Sequence, residues 1–196
     1  MRKAMYTYAW DLQEEGVKAV ASRLRDAGLN TITLATSYHA GKFLRPHAPR
    51  RKVYFPEDGA VYFRPSLTRY RRIKPRVASM ADDFDALREL ETHASDFDRV
   101  SWTVGLHNTP LGIAYPDLTT QNAFGDPLLN SLCPSQPDVR EYLVSLCADL
   151  GENYSLSELA IETPGWQAFR HGHHHEFELI DLSSRVETML GICFCS

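Results

Sequence analysis

The chain has 196 residues, 43% of them apolar and 23% charged, and a formal charge of -4. Those values suit one globular core and exclude a disordered polyelectrolyte. The mild acidity also argues against nucleic acid as the main partner. No run approaches the roughly 20 apolar residues that span a bilayer. Met1-Arg2-Lys3 is followed by Asp11 and Glu14 after too short an apolar run for a signal peptide. The chain therefore reads as a cytoplasmic protein with no membrane partner, forming a single α/β domain over residues 1–196.

In chain order, Ala4 to Trp10 reads as a buried first strand ending at Asp11. Glu14-Glu15 then open a helix whose stripe is Val17, Val20, Ala21, Leu24 and Ala27, closed by Gly28. The β-branched run Thr31 to Thr36 is a second strand, which completes a right-handed βαβ unit with parallel strands. Prolines at 46, 49, 56, 65 and 75 break the pattern, so residues 37–79 form a long loop after the second strand. Within it, Lys52–Phe55 and Ala60–Phe63 are predicted to pair as a hairpin through Pro56-Glu57-Asp58-Gly59. Its arginines, from Arg45 to Arg76, are expected to meet carboxylates rather than nucleic acid.

Asp82 is placed as the N-cap of a helix running to about Phe97, and Val100 to Leu106 as a third strand. A second long loop covers residues 107–134. Ser135 then caps a helix with the stripe Val139, Tyr142, Leu143, Leu146 and Leu150. Leu159 to Glu162 is the fourth strand, Leu182 to Leu190 a short helix, and Ile192 to Cys195 the start of a fifth strand. Four repeats of strand, long loop and helix match half the plan of an eight-stranded parallel barrel. The predicted fold is thus an incomplete TIM-barrel-like sheet of about four βα units plus a fifth strand. An apolar last strand with no covering helix leaves an open edge, and self-association through that edge is an expected partner mode. A small open sheet and a pair of associating half-barrels fit the same pattern.

Loops at the carboxyl ends of parallel strands carry chemistry in such folds. The strand ends offer Asp11, then His39, then His107 with Asn108, then Glu162 with Trp166 beyond Pro164-Gly165. Glu162 is the leading catalytic candidate, against the plainer reading that it caps a turn or pairs with an arginine. An aromatic face stacks on a sugar ring, and a glutamic acid beside an indole can stay protonated and serve as a general acid. Glycoside cleavage normally uses a second carboxylate. Asp11 and Asp126 are the candidates here.

Several stretches together resemble the N-terminal half of bacterial glycoside-hydrolase-like (β/α)8 barrel proteins. These are Tyr8-Ala9-Trp10-Asp11-Leu12, Trp102-Thr103-Val104 with His107-Asn108, Asn122 with Gly125-Asp126, Leu132-Cys133-Pro134 with Val139-Arg140, and Leu159-Ala160-Ile161-Glu162. The resemblance implies a carbohydrate substrate and no cofactor. It also implies an acid/base glutamate after strand four, here Glu162, while the strand ends and the loops beyond them offer Asp11, His39, His107, Asn108, Asn122, Asp126 and Trp166 as candidate substrate-binding residues. Ile161 stands where the larger clan of retaining glycosidases favours Asn, and that clan's nucleophile follows a seventh strand, for which this sequence has no counterpart.

Two other readings use different residues. His171, His173, His174 and His175 could offer imidazoles to a metal with His39 or His107, making a metal-dependent hydrolase, although neighbouring histidines seldom all face one ion. A non-catalytic carbohydrate-binding or assembly module needs no second carboxylate. The four cysteines include no CxxC pair, and Cys193-x-Cys195 in a strand would face opposite ways, poorly placed to share a metal or a bond.

Overall fold

Four runs, the first three rich in β-branched and aromatic residues, build the parallel part of the central sheet of the computed structural model, which describes residues 1–171, 177 and 179–195. They are β1 (Ala4–Tyr8), β2 (Thr31–Tyr38) and two strands from the second half of the chain, Asp98–Val104 and Glu158–Glu162. All run parallel, and each lies beside its predecessor, because a helix returns the chain every time. The first return is made by α1 (Ala9–Glu15) and α2 (Val17–Asp26), two helices rather than the single one expected from Glu14 onward. Gly16, at φ +83°, turns the chain between them. Asp11 consequently lies in the first turn of α1 rather than at a strand end.

Side chains alternate across the sheet. On one face Ile32 and Leu34 join the buried core with Leu24 of α2 and with leucines of the later helices, among them Leu87, Leu90, Leu146 and Leu150. Buried hydroxyls there satisfy one another: Thr36, Ser101 and Thr103 form a closed ring with separations of 2.7, 2.8 and 2.8 Å. The register places Tyr6, Tyr8, Trp102 and Glu162 on the opposite face. That face is less covered, and Tyr6 is 62% exposed.

The stretch between β2 and the next long strand is not structureless. It holds β3 (Phe43–Leu44), β4 (Val53–Tyr54), β5 (Ala60–Val61) and β6 (Arg76–Val77). The expected hairpin does not form: β4 pairs with β3, while β5 leaves to pair antiparallel with the tip of β2 and parallel with β6. Burial explains the exchange. Ala60, Val61, Tyr62 and Phe63 are all at most 1% exposed in the core, whereas Val53 stays half exposed at the surface. The arginines do meet carboxylates: Arg45 binds Asp11 and Glu14, Arg51 binds Glu14, Arg69 binds Glu152, and Arg72 binds Asp117 and Asp138.

Next comes α3 (Ala86–His93), capped by the Asp85 carboxylate, which accepts from the Arg88 amide at 3.3 Å; Asp82 lies in a preceding 3-10 turn. It leads into β7 (Asp98–Val104). The loop predicted over residues 107–134 folds into α4 (Thr109–Ala114) and an antiparallel pair, β8 (Thr119–Gln121) with β9 (Pro127–Leu132). Helix α5 (Pro137–Asn153) then delivers β10 (Glu158–Glu162), and α6 (Ser184–Leu190) follows behind a Ser183 cap.

No strand forms over Ile192–Cys195. Gly191 turns the chain out of α6, and that segment instead meets the β8 end, where the Phe194 amide donates to the Gln121 carbonyl at 2.8 Å. The parallel strands therefore run in the order β1-β2-β7-β10, and among the described residues the outer sides of β1 and β10 pair with no further strand. Among the described residues no helix is long and apolar enough to cross a membrane.

Candidate active site

The ladder between β7 and β10 runs on past both strands: Gly105 donates its amide to the Glu162 carbonyl at 2.8 Å, and Leu106 to the Thr163 carbonyl at 3.0 Å. Glu162 is thus held by regular sheet bonding at the very tip of β10. Thr163 then takes a left-handed φ of +51°, an uncommon conformation for a β-branched residue, and the chain turns away.

The partner of the Glu162 carboxylate comes from across the ladder. Trp102 pairs in register with Ala160, two residues before Glu162, and therefore shares its face. Its indole Nε1–H donates to Glu162 Oε2 at 2.5 Å. Aromatic rings wall this pair in. Tyr6 and Tyr38 present edges to Trp102 at 5.1 and 5.3 Å, and Tyr8 lies 5.8 Å away. Tyr8 in turn stacks on Trp10 at 4.6 Å. Burial pushes the Tyr8 phenol well above its ordinary value, helped by Tyr38 and by the negative charges of Asp11 and Glu162. Trp166, next to Glu162 in sequence, is not the indole that binds it. Pro164-Gly165 carry Trp166 away, 58% exposed, to line cavities with Gly191 and Ile192.

Asp11 points to a different partner. Its carboxylate accepts from Arg45 Nε at 2.6 Å, and the same buried guanidinium also donates to Glu14 at 3.0 Å. Burial raises the Asp11 carboxyl above its ordinary value and outweighs the pull of Arg45. Asn108 is 2% exposed and fully employed in structure: Oδ1 accepts from Leu111 N at 3.0 Å to cap α4, and Nδ2 donates to the Gly59 carbonyl at 2.9 Å. Asn122 and Asp126 form the turn between β8 and β9. There Asn122 Oδ1 accepts from the Phe124 and Asp126 amides at 2.9 and 3.0 Å, and Nδ2 donates to Asp126 at 3.1 Å. Neither Asp11 nor Asp126 is left as a free second carboxylate.

Three imidazoles do meet, His39 and His107 from beyond β2 and β7 and His171 from the segment after β10. His39 stacks flat between Tyr38 and His107, at 4.4 and 4.6 Å. His107 Nδ1 lies 3.2 Å from His171 Nε2. In a parallel stack the ring nitrogens lie in separate planes, so His39 and His107 do not converge on one point. His173, His174, His175 and Glu176 lie outside the described residues.

Sequence reasoning missed one cluster altogether. Cys133 Sγ lies 3.5 Å from Cys193 Sγ and 3.2 Å from Cys195 Sγ. The alternation argument against it fails because residues 193–195 are not a strand. Burial, with the neighbouring thiols, pushes Cys195 up to about 12. Burial also works upward on Cys193, but amides, including that of Cys195 at 3.4 Å, hold it below its ordinary value. Comparison with protein-family models, curated proteins and solved structures finds no match for this chain.

Proposed function

We propose that this chain carries the acid/base side of a glycoside-hydrolase-like site, with Glu162 as the proton-transferring group on a carbohydrate. The observation that carries the reading is the Glu162–Trp102 pair at the tip of two adjacent parallel strands, on a face walled by Tyr6, Tyr8 and Tyr38. A sugar ring has an apolar face for such rings to cover, and an acid fixed by a strand and an indole is pre-positioned for a glycosidic oxygen. The strand order β1-β2-β7-β10, with both outer edges unpaired among the described residues, supports a further reading of the fold as four units of an eight-stranded barrel. In that arrangement the second carboxylate would come from the facing half.

The test is turnover across a panel of aryl glycosides and oligosaccharides by the native protein and by Glu162→Gln. Loss of a general acid lowers kcat by about 100- to 10,000-fold. Circular dichroism of the variant should remain native. Undiminished turnover by Glu162→Gln would remove the assignment.

The engagement of Asp11 with Arg45 and of Asp126 with Asn122 favours one second reading, a carbohydrate-binding module without turnover. It predicts saturable sugar binding by calorimetry, weakened by Trp102→Ala, with no product formed by either protein.

A further inference from the structure

We propose that Cys133, Cys193 and Cys195 form a thiolate site for a soft divalent cation, zinc being the natural candidate, which fastens the segment after α6 to the end of β9. The three sulfurs all lie within 4.8 Å of one another. Tetrahedral zinc with Zn–S bonds of about 2.3 Å separates its sulfurs by about 3.8 Å. The spacings of 3.2 and 3.5 Å from Cys133 therefore need only a few tenths of an ångström of opening to admit the ion. They are far longer than the roughly 2.05 Å of a disulfide.

The donor set selects the metal. Thiolates favour zinc and copper(I) over magnesium or calcium, which take oxygen. Each thiol loses its proton to the buffer as it binds. The fourth position has room for a water or another outside ligand, because Cys193 and Cys195 line a cavity of about 370 Å³ with Ser135 and Trp166. Three thiolates outweigh the charge of a divalent ion, which leaves it a poor electrophile, so the role is structural. Cys133 ends a buried hairpin, while Cys193 and Cys195 sit in a strandless segment tied there by the Phe194–Gln121 hydrogen bond. The ion would cross-link positions 60 and more residues apart.

The experiment strips the protein with chelator under reducing conditions and titrates it with cobalt chloride, then with zinc chloride. A near-ultraviolet thiolate-to-cobalt charge-transfer band is expected, saturating at one ion per chain and displaced by zinc. Imidazoles give no such band, so capture by the run His171–His175 is distinguished. Cys195→Ser should weaken zinc binding by more than about 100-fold, and Cys147→Ser, on α5 and outside the group, should leave it unchanged. Cys195 is only half buried, so this variant keeps the fold testable by circular dichroism. Zinc should also raise Tm in the native chain and not in Cys195→Ser. Absence of the band, an undiminished band and affinity in Cys195→Ser, or a Cys133 disulfide in place of free thiols would each overturn the site.

Discussion

Trp102 and Glu162 stand on neighbouring strands two residues out of register, and the indole Nε1–H spans that offset at 2.5 Å to hold the carboxylate. The hydrogen bond does two things: it satisfies a donor that burial would otherwise strand, and it fixes the direction of the acid. Trp102→Phe keeps a ring against Tyr6 and Tyr38 but deletes the donor. With Glu162 as the proton donor proposed above, its expected effect is a fall in kcat of about 10-fold with KM nearly unchanged, and a stability loss of about 1 kcal/mol. Steady-state kinetics alongside urea unfolding checks both numbers. An equal change in KM would mean that the indole binds substrate instead of aiming Glu162.

Acid stability should depend on Glu14. Burial works upward on this carboxyl, but Arg45 and Arg51, each at 3.0 Å, hold it below its ordinary 4.5. A depressed carboxyl contributes stability that is complete above pH 4.5 and is lost as pH falls through the lower folded value. Asp11, raised above its ordinary 3.8, acts with the opposite sign: its ionisation works against the fold, and protonation on acidification relieves this. Glu14→Gln should therefore cost about 3 kcal/mol at neutral pH and flatten the acid limb of a stability–pH curve. Asp11→Asn, which removes a group that gains stability on protonation, should steepen that limb. Chemical denaturation from pH 7 down to about pH 3 separates the two, spanning both ordinary carboxylate values.

The long segment after β2 is anchored by Asp149, fully buried on α5, which accepts from Ser66 N at 2.8 Å, Tyr70 Oη at 3.0 Å and Asn153 Nδ2 at 2.5 Å. Removing the carboxylate strands three donors at once. Asp149→Ala is expected to destabilise by about 3 to 4 kcal/mol and to expose the chain near Ser66. Limited proteolysis with mass mapping reads the second effect. Uniform unfolding without early cuts there would count against a local anchor.

Gly59 and Asn108 form a tight junction between the two long connections. Gly59 has φ +60°, and a Cβ on it would lie 2.3 Å from Asn108 Oδ1, the atom that caps α4. Gly59→Ala combines backbone strain with loss of the cap, and a cost of about 2 to 3 kcal/mol is expected. Thermal unfolding of Gly59→Ala and Asn108→Ala, singly and together, should show a double variant less destabilised than the sum.

What could be read from the sequence divides along physical lines. β2, β7 and α5 are legible because each buries a sustained run, and burial leaves its mark in composition; β1, expected to be buried, and β10 are mostly exposed or half-buried and are legible from their short apolar and aromatic runs alone. Pairings of two-residue strands carry no such mark: the sequence pairs β4 with β5 across a turn, whereas burial takes β5 into the main sheet. Glu162 was legible as a residue at a strand end, but its indole was not. Trp166 is near in sequence, and Trp102 is near only through the register of two strands 60 residues apart. Asn108, Asn122 and Asp126 have the residue types of a binding site, yet caps and turns draw on the same types. The cysteine cluster depended on whether residues 193–195 extend or turn, and alternation assumed the first.

The left-handed Thr163 separates two kinds of freedom. β10 up to Glu162 is locked to β7 by the ladder, and the described residues just beyond, Pro164 to Trp166, leave the sheet. Replacement, lengthening or rearrangement of the downstream segment would reshape whatever lies opposite the acid while leaving the acid where it is. Position 163 is in that sense a splice point, beyond which the chain can change without displacing the Glu162 carboxylate from its strand.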